Sequence, residues 1–187
     1  MVKLLLGVPA DEMLKLTGSK TKEIDAKGNF VMPGFIEGHG HYSGLGRSLM
    51  NLNFMHSKNW DEIVAMVKEK VEQTEAGEWI IGRGWHQEKW NAQPDDHVHG
   101  YPNHYELTAI SPNNPVMLTH ASGHGLFANE KAMQMAGITA ETPDPAGGEI
   151  VRNKQGKAIG MFEERAQNLI RDAYKVYLQS LSAEERH

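Results

Sequence analysis

The feature that most constrains the fold of this chain is a short apolar run that ends in two histidines. Residues 30–36 read Phe-Val-Met-Pro-Gly-Phe-Ile, and after Glu37 and Gly38 come His39-Gly-His41. Side chains two residues apart on a strand point to the same face, so both imidazoles can approach one ion. Neutral imidazole is a common ligand of divalent metals. The carboxyl end of a strand is where α/β barrels place their chemistry. The pattern fits a metal site held by His39 and His41, and it fits equally a hydrogen-bonded histidine pair without a metal.

Composition limits the ligands and the partners. The chain has 187 residues, no cysteine and a formal net charge of −5. Without thiolates, a metal must be held by His, Asp or Glu. The acidic balance and the scattered basic residues predict no nucleic-acid partner and no membrane partner. No apolar run reaches the length of a membrane span, and the first residues make no convincing signal peptide, which favours a cytoplasmic location.

Apolar periodicity and turn signals predict alternating helices and strands. Asn59 and Glu62 predict a capped helix over residues 59–76, which Gly77 ends. Asn103 and Glu106 predict a second capped helix that extends to residue 110. Further helices are predicted over residues 129–136 and 163–178. The predicted strands cover residues 22–25, 29–32, 78–82, 115–119, 149–152 and 157–160, the last two forming a hairpin.

Four blocks of the sequence occur in an order that is typical of one enzyme family. The blocks are residues 31–42, residues 79–85, residues 111–118 with Ser122, Gly123, His124 and Asn129, and residues 142–152 with 160–164. Together they resemble the amidohydrolase superfamily, the metal-dependent hydrolases built on a TIM barrel, and are similar to the "amidohydrolase 3" branch, which includes N-substituted formamide deformylases. The resemblance extends over nearly the whole chain, from about Asp11 to Arg186.

The resemblance implies an α/β fold for the complete enzyme. This chain by itself would be α+β, because it would hold one barrel strand and the insertion that follows it. Residues 1–33 would be the remnant of an N-terminal β-sandwich subdomain, and residues 34–56 the first barrel strand with its following loop. Residues 57–181 would form a large α+β insertion. Residues 182–187 carry a capping-box pattern that predicts the start of another helix. The barrel would be incomplete, and the chain an N-terminal fragment of a longer enzyme.

The resemblance also implies site residues. His39 and His41 match the family's metal-binding pair, and the ion would be zinc, with iron, manganese and nickel also suited to a histidine pair. No catalytic base is assigned, because the family's later strands supply it. Three residues are candidates for the substrate pocket: His124, Trp85 and Glu164. Each has a structural alternative, namely a hydrogen-bonded histidine, a packing aromatic, and an acid favoured by the dipole of a first helical turn.

Two functions from different classes follow. The first is part of a metal-dependent amidohydrolase that cleaves non-peptide C–N bonds of a small amide or formamide with a metal-activated water. The second is a catalytically inactive module that self-associates as a homo-oligomer, or one half of a split enzyme that a complementing chain completes.

Overall fold

The computed structural model describes residues 9–32, 34–36, 38, 40 and 42–182. The chain divides into two units at Gly40. In the first unit the described residues form one short helix, α1 (Ala10–Leu14), and otherwise turns and irregular chain. His39 and His41, the predicted metal ligands, lie outside the described residues, as do residues 183–187 at the predicted start of a further helix.

The two strands predicted over residues 22–25 and 29–32 are wrong. The chain there makes turns closed by local hydrogen bonds, such as that from the Asn29 N–H to the Ala26 carbonyl at 2.9 Å. A strand needs a neighbour that pairs with its backbone, and the apolar side chain of Phe30 remains 86% exposed here. Residues 34–36 form no strand either, and Glu37, His39 and His41 of the predicted first barrel strand lie outside the described residues.

The second unit contains five helices and eight strands among its described residues. The helices are α2 (Tyr42–Met50), α3 (Trp60–Val71), α4 (Tyr105–Ile110), α5 (Glu130–Met135) and α6 (Gln167–Ser180). The strands are β1 (Leu52–Asn53), β2 (Ile80–Trp85), β3 (His97–Val98), β4 (Tyr101–Pro102), β5 (Val116–His120), β6 (Gly125–Ala128), β7 (Gly148–Arg152) and β8 (Ala158–Glu164).

Six of these strands form one open mixed sheet in the order β1-β2-β5-β6-β8-β7. The first three are parallel, β6 runs antiparallel to both of its neighbours, and β7 pairs with β8 as an antiparallel hairpin. It follows that β2, β5 and β8 point the same way, so their carboxyl ends share one edge of the sheet. The fold is mixed α/β, and the predicted strands 78–82, 115–119, 149–152 and 157–160 all lie in this sheet.

Helices cover both faces of the sheet because its strands are apolar on both sides. On one face α3 and α4 pack against strand residues such as Leu118 and Phe127. On the other face α5 and α6 pack against strand residues such as Leu126 and Phe162. The sheet is therefore the middle layer of three.

Local sequence is sufficient to place two of the three helix starts predicted at an asparagine. Asn59 and Asn129 accept hydrogen bonds from the backbone N–H groups of Glu62 and Ala132, so both predicted N-termini are confirmed. The cap predicted at Asn103 is wrong, because α4 begins one residue later, after His104, whose side chain makes no capping bond. In the part of the chain that the structure describes, no helix is long and apolar enough to cross a membrane.

Candidate active site

The carboxyl edge of the sheet holds a polar cavity of about 170 Å³. In open α/β sheets this edge is where ligands bind, because the loops that leave parallel strands diverge there. The lining residues come from the ends of β4, β5 and β8 and from the loop between β5 and β6: Tyr101, His120, Ser122, His124, Gly125, Met161, Glu163 and Glu164. Strands distant in sequence thus bring two histidines and two carboxylates to one place.

His124 and Glu164 form an ion pair beside this cavity. The imidazole Nδ1 lies 3.0 Å from Glu164 Oε1 and 3.3 Å from Oε2, and both side chains are largely exposed. The backbones are joined as well, since the Glu164 N–H donates to the His124 carbonyl at 2.8 Å. A carboxylate that orients an accessible imidazole equips that imidazole to take up or release a proton.

The backbone at this pair is in an uncommon conformation. Glu164 has φ +48°, in the left-handed region that a side chain with a Cβ rarely adopts, and Gly123, just before His124, has φ +80°. Such conformations persist only where the surrounding structure holds them, and they concentrate at functional sites. The positive φ also allows the consecutive residues Glu163 and Glu164 to line one cavity, although neighbours on a regular strand point to opposite faces.

Tyr101 and Glu163 form a second polar pair. The Tyr101 hydroxyl donates to Glu163 Oε1 at 2.7 Å. Burial, followed by the adjacent carboxylate, raises the pKa of the Tyr101 phenol above its ordinary value. The phenol therefore stays protonated and remains a hydrogen-bond donor at neutral pH.

His120 is buried at the base of the cavity and is held as the neutral imidazole. Its Nδ1 accepts from the Ser122 N–H at 3.2 Å and faces the Ser122 hydroxyl at 2.7 Å, while Nε2 faces Gln87 Oε1 at 3.1 Å. Because Nδ1 must accept and the Gln87 oxygen must receive a proton, the tautomer carries its proton on Nε2. Burial, and then the neighbouring His86, lower the pKa of His120 to about 4.

Trp85, a predicted pocket residue, lies in the core instead of the cavity lining. Its side chain is fully buried, and its indole Nε1 donates to the Leu118 carbonyl at 2.9 Å. Its ring packs edge-on against His120 with centroids 4.7 Å apart. A large aromatic side chain on a central strand gains more from the core than from a solvent-facing wall. Trp85 therefore contacts the cavity only indirectly, through the lining residues His120 and Tyr101.

The structure brings two of the predicted site residues, His124 and Glu164, into contact. The secondary structure predicted for Glu164 is wrong, however. Glu164 is the last residue of β8, and the final helix begins at Gln167 instead of at residue 163. Sequence reasoning missed Tyr101, His120, Ser122 and Glu163. The signal for His120 was present, since it directly follows the strand predicted over residues 115–119.

A metal is implied by the resemblance, and the described residues provide no site for one. Among residues 9–36 and 42–182, apart from the positions left undescribed, no group of three His, Asp or Glu side chains could hold an ion. His124 and Glu164 are engaged with each other, and His120 is closed in by Ser122 and Gln87.

The three-layer α/β fold thus has a polar, carboxylate-lined cavity at the edge of the sheet where ligands bind in open α/β sheets. Comparison with known proteins gives the class. A model described as the amidohydrolase family matches residues 22–187, and the chain belongs to that family.

Curated relatives agree with this assignment. YtcJ of Bacillus subtilis (strain 168) is 33% identical over 171 residues, which cover 86% of this chain and 31% of YtcJ. N-substituted formamide deformylase of Arthrobacter pascens is 34% identical over 152 residues, covering 80% of this chain and 27% of the deformylase. The chain thus spans about a third of the length of these relatives or less.

A solved structure is also similar. An uncharacterized metal-dependent hydrolase from Pyrococcus furiosus matches with a TM-score of 0.49 and 22% identity, over 83% of this chain and 27% of that one.

Proposed function

We propose that this chain is part of a hydrolase that cleaves non-peptide C–N bonds of small amides or formamides. The observation that carries the proposal is the family match over residues 22–187. It is supported by a sequence identity of 34% with an N-substituted formamide deformylase. The family resemblance adds a TIM barrel, of which this chain would form a part. It also adds a divalent metal, zinc by default, with His39 and His41 as ligands; when bound, such an ion activates water for attack on the amide carbonyl.

The described residues would serve the substrate side of this reaction. The leaving amine of an amide must gain a proton, and an exposed imidazole oriented by a carboxylate can deliver one. His124 paired with Glu164 has that arrangement. The Tyr101 hydroxyl, held protonated next to Glu163, provides a hydrogen-bond donor to a substrate oxygen in the same cavity.

The cavity also limits the size and charge of the group it takes. A cavity of roughly 150 Å³ holds one benzene molecule, so about 170 Å³ accepts a substituent of similar size. Its lining contains two carboxylates and no lysine or arginine. A substrate group that is neutral or positively charged therefore fits the cavity better than a carboxylate.

The test is hydrolysis of N-substituted formamides by the 187-residue chain, together with its metal content by elemental mass spectrometry after dialysis. We expect the ion, and any hydrolysis that the parent chain shows, to be lost in the His39→Ala/His41→Ala variant. The Glu164→Asn variant should retain the ion and lose most of the activity, since asparagine tolerates positive φ but cannot act as the carboxylate partner of His124. Activity equal in all three proteins would refute the proposal.

A second proposal is that the chain associates with a second copy of itself through α2. Three apolar side chains of this helix, Leu45, Leu49 and Met50, are 60%, 80% and 72% exposed. Exposed apolar side chains grouped on one short helix are typical of interaction sites. Light scattering should show a dimer that the Leu45→Ser/Leu49→Ser variant converts to a monomer; a monomeric parent protein would contradict the proposal.

A further inference from the structure

Gln167, at the start of α6, is a buried amide that joins the two segments carrying His124 and Glu164. Only 7% of the residue is exposed. Its Nε2 donates to the carbonyl of Gly123 at 3.2 Å and to the carbonyl of Glu164 at 3.1 Å. Gly123 directly precedes His124, so one amide group holds the backbone on both sides of the ion pair.

Arg171, one helical turn later, decides which way this amide faces. Its guanidinium donates to Gln167 Oε1 at 3.0 Å. Arginine has donors and no acceptor, so only the amide oxygen can face it, and the NH₂ group is left to face the two carbonyls. A glutamine without such a neighbour could adopt the flipped orientation and leave both carbonyls without a donor.

The two held segments are the ones with uncommon backbone conformations. Gly123 has φ +80° and Glu164 has φ +48°. A residue such as Glu164 keeps this conformation only while surrounding contacts impose it. The hydrogen bonds from Gln167 are such contacts, and they come from the buried side, where water cannot replace them without opening the core.

We propose that Gln167, oriented by Arg171, is the positioning residue that keeps His124 and Glu164 in contact. The significance of that contact for substrate rests on the proposed function, but the contact itself can be measured without hydrolysis. Gln167 does not itself line the cavity; it acts through the backbone carbonyls of Gly123 and of the lining residue Glu164. Removing its Nε2 donor lets both carbonyls turn, relaxes the backbone of Glu164, and separates the carboxylate from the imidazole.

The test uses the 187-residue protein labelled with ¹⁵N-histidine, in which the His124 ring signals are identified by their loss in His124→Ala. Glu164→Gln defines the change in the Nδ1 chemical shift when the ion pair is broken. Two variants then probe Gln167. Gln167→Met removes all its hydrogen bonds at similar volume, whereas Gln167→Glu retains the partner for Arg171 and places an oxygen where the donor was. Asn168→Ala, an exposed neighbour on the same helix, is the matched control.

We expect both Gln167 variants to reproduce most of the shift change of Glu164→Gln, and Asn168→Ala to leave the signal unchanged. Arg171→Met should give a smaller change in the same direction, because the amide is then free to flip. A His124 signal that stays at its parental position in a folded Gln167→Glu protein would overturn the proposal. Folding is checked by near-ultraviolet circular dichroism, and the pair of variants gives an answer even if Gln167→Met fails to fold.

Discussion

At the scale of single residues, the candidate site depends on which groups are held neutral and which are charged. His120 is nearly closed off from water and surrounded by Ser122, Gln87, His86 and Trp85. Protonating its Nδ1 would place two donors face to face, because the Ser122 N–H already points at that atom. The folded protein therefore disfavours the imidazolium form of His120.

This predicts a specific loss of stability in acid. The pKa of His120 is about 4 in the folded protein and 6.5 as an ordinary histidine. The unfolded state then binds the proton first as the pH falls below 6.5, so stability decreases from there to about pH 4 by at most about 3 kcal/mol. His120→Gln cannot take up this proton. The difference in free energy of unfolding between the parent and this variant, measured in urea at pH 7 and pH 4.5, should shrink in acid; a constant difference would contradict the assignment.

At the scale of elements, one buried side chain joins the amino end of α5 to the start of β5 and to the loop between α4 and β5. Asn129 is fully buried, and its Oδ1 accepts from the backbone N–H groups of Ala132 and Val116. Its Nδ2 donates to the Ser111 carbonyl and hydroxyl and to the Asn114 carbonyl. The local pattern predicted only that a helix begins at Asn129, whereas the four contacts other than the capping bond to Ala132 depend on segments that the fold brings in.

Asn129 should consequently be far more important for stability than an ordinary cap. An exposed N-cap contributes typically about 1 kcal/mol, but here truncation leaves several buried groups without partners, each costing roughly 1–3 kcal/mol. We expect Asn129→Ala to destabilise by about 3 kcal/mol or more, and Asn129→Asp at least as much, because a carboxylate oxygen would face three acceptors. Urea unfolding measures both. The control is Asn113→Ala. Asn113 is exposed and directly precedes Asn114 in the chain, and its replacement should change the free energy of unfolding little.

At the scale of the whole molecule, the core belongs to the second unit. Every buried side chain among the described residues lies at Phe54 or later in the chain. Two clusters fill the two faces of the sheet. A unit with its own complete core is expected to fold by itself.

We therefore predict that a fragment of residues 42–187 unfolds cooperatively. Calorimetry should show one transition, and near-ultraviolet circular dichroism should retain the signal of the packed Trp60, Trp79 and Trp85. The fragment should bind no metal tightly if His39 and His41 are the ligands. A fragment with no cooperative transition would show that residues before 42 are needed for the fold of the sheet.

Local sequence is enough to predict the elements that depend on contacts between neighbouring residues. Asn59 and Asn129 mark helix starts, Asn153-Lys-Gln-Gly156 marks the hairpin between β7 and β8, and the apolar run after Pro115 marks a central strand. These signals act over a few residues, so they are visible without a fold. The family could also be predicted from the sequence, because four different family motifs follow one another along the chain in the expected order, and the family match confirms it.

The rest of the site depends on which distant segments the fold brings into contact. The contact of His124 with Glu164 spans forty positions in sequence and depends on β6 pairing with β8. The partnership of Tyr101 with Glu163 spans sixty-two. Strand order cannot be derived from local periodicity, since any apolar strand can pair with another. The positive φ of Glu164 is likewise imposed by surrounding contacts and not by its own preference, which is why a residue assigned to a helix by its sequence lies instead at the end of a strand.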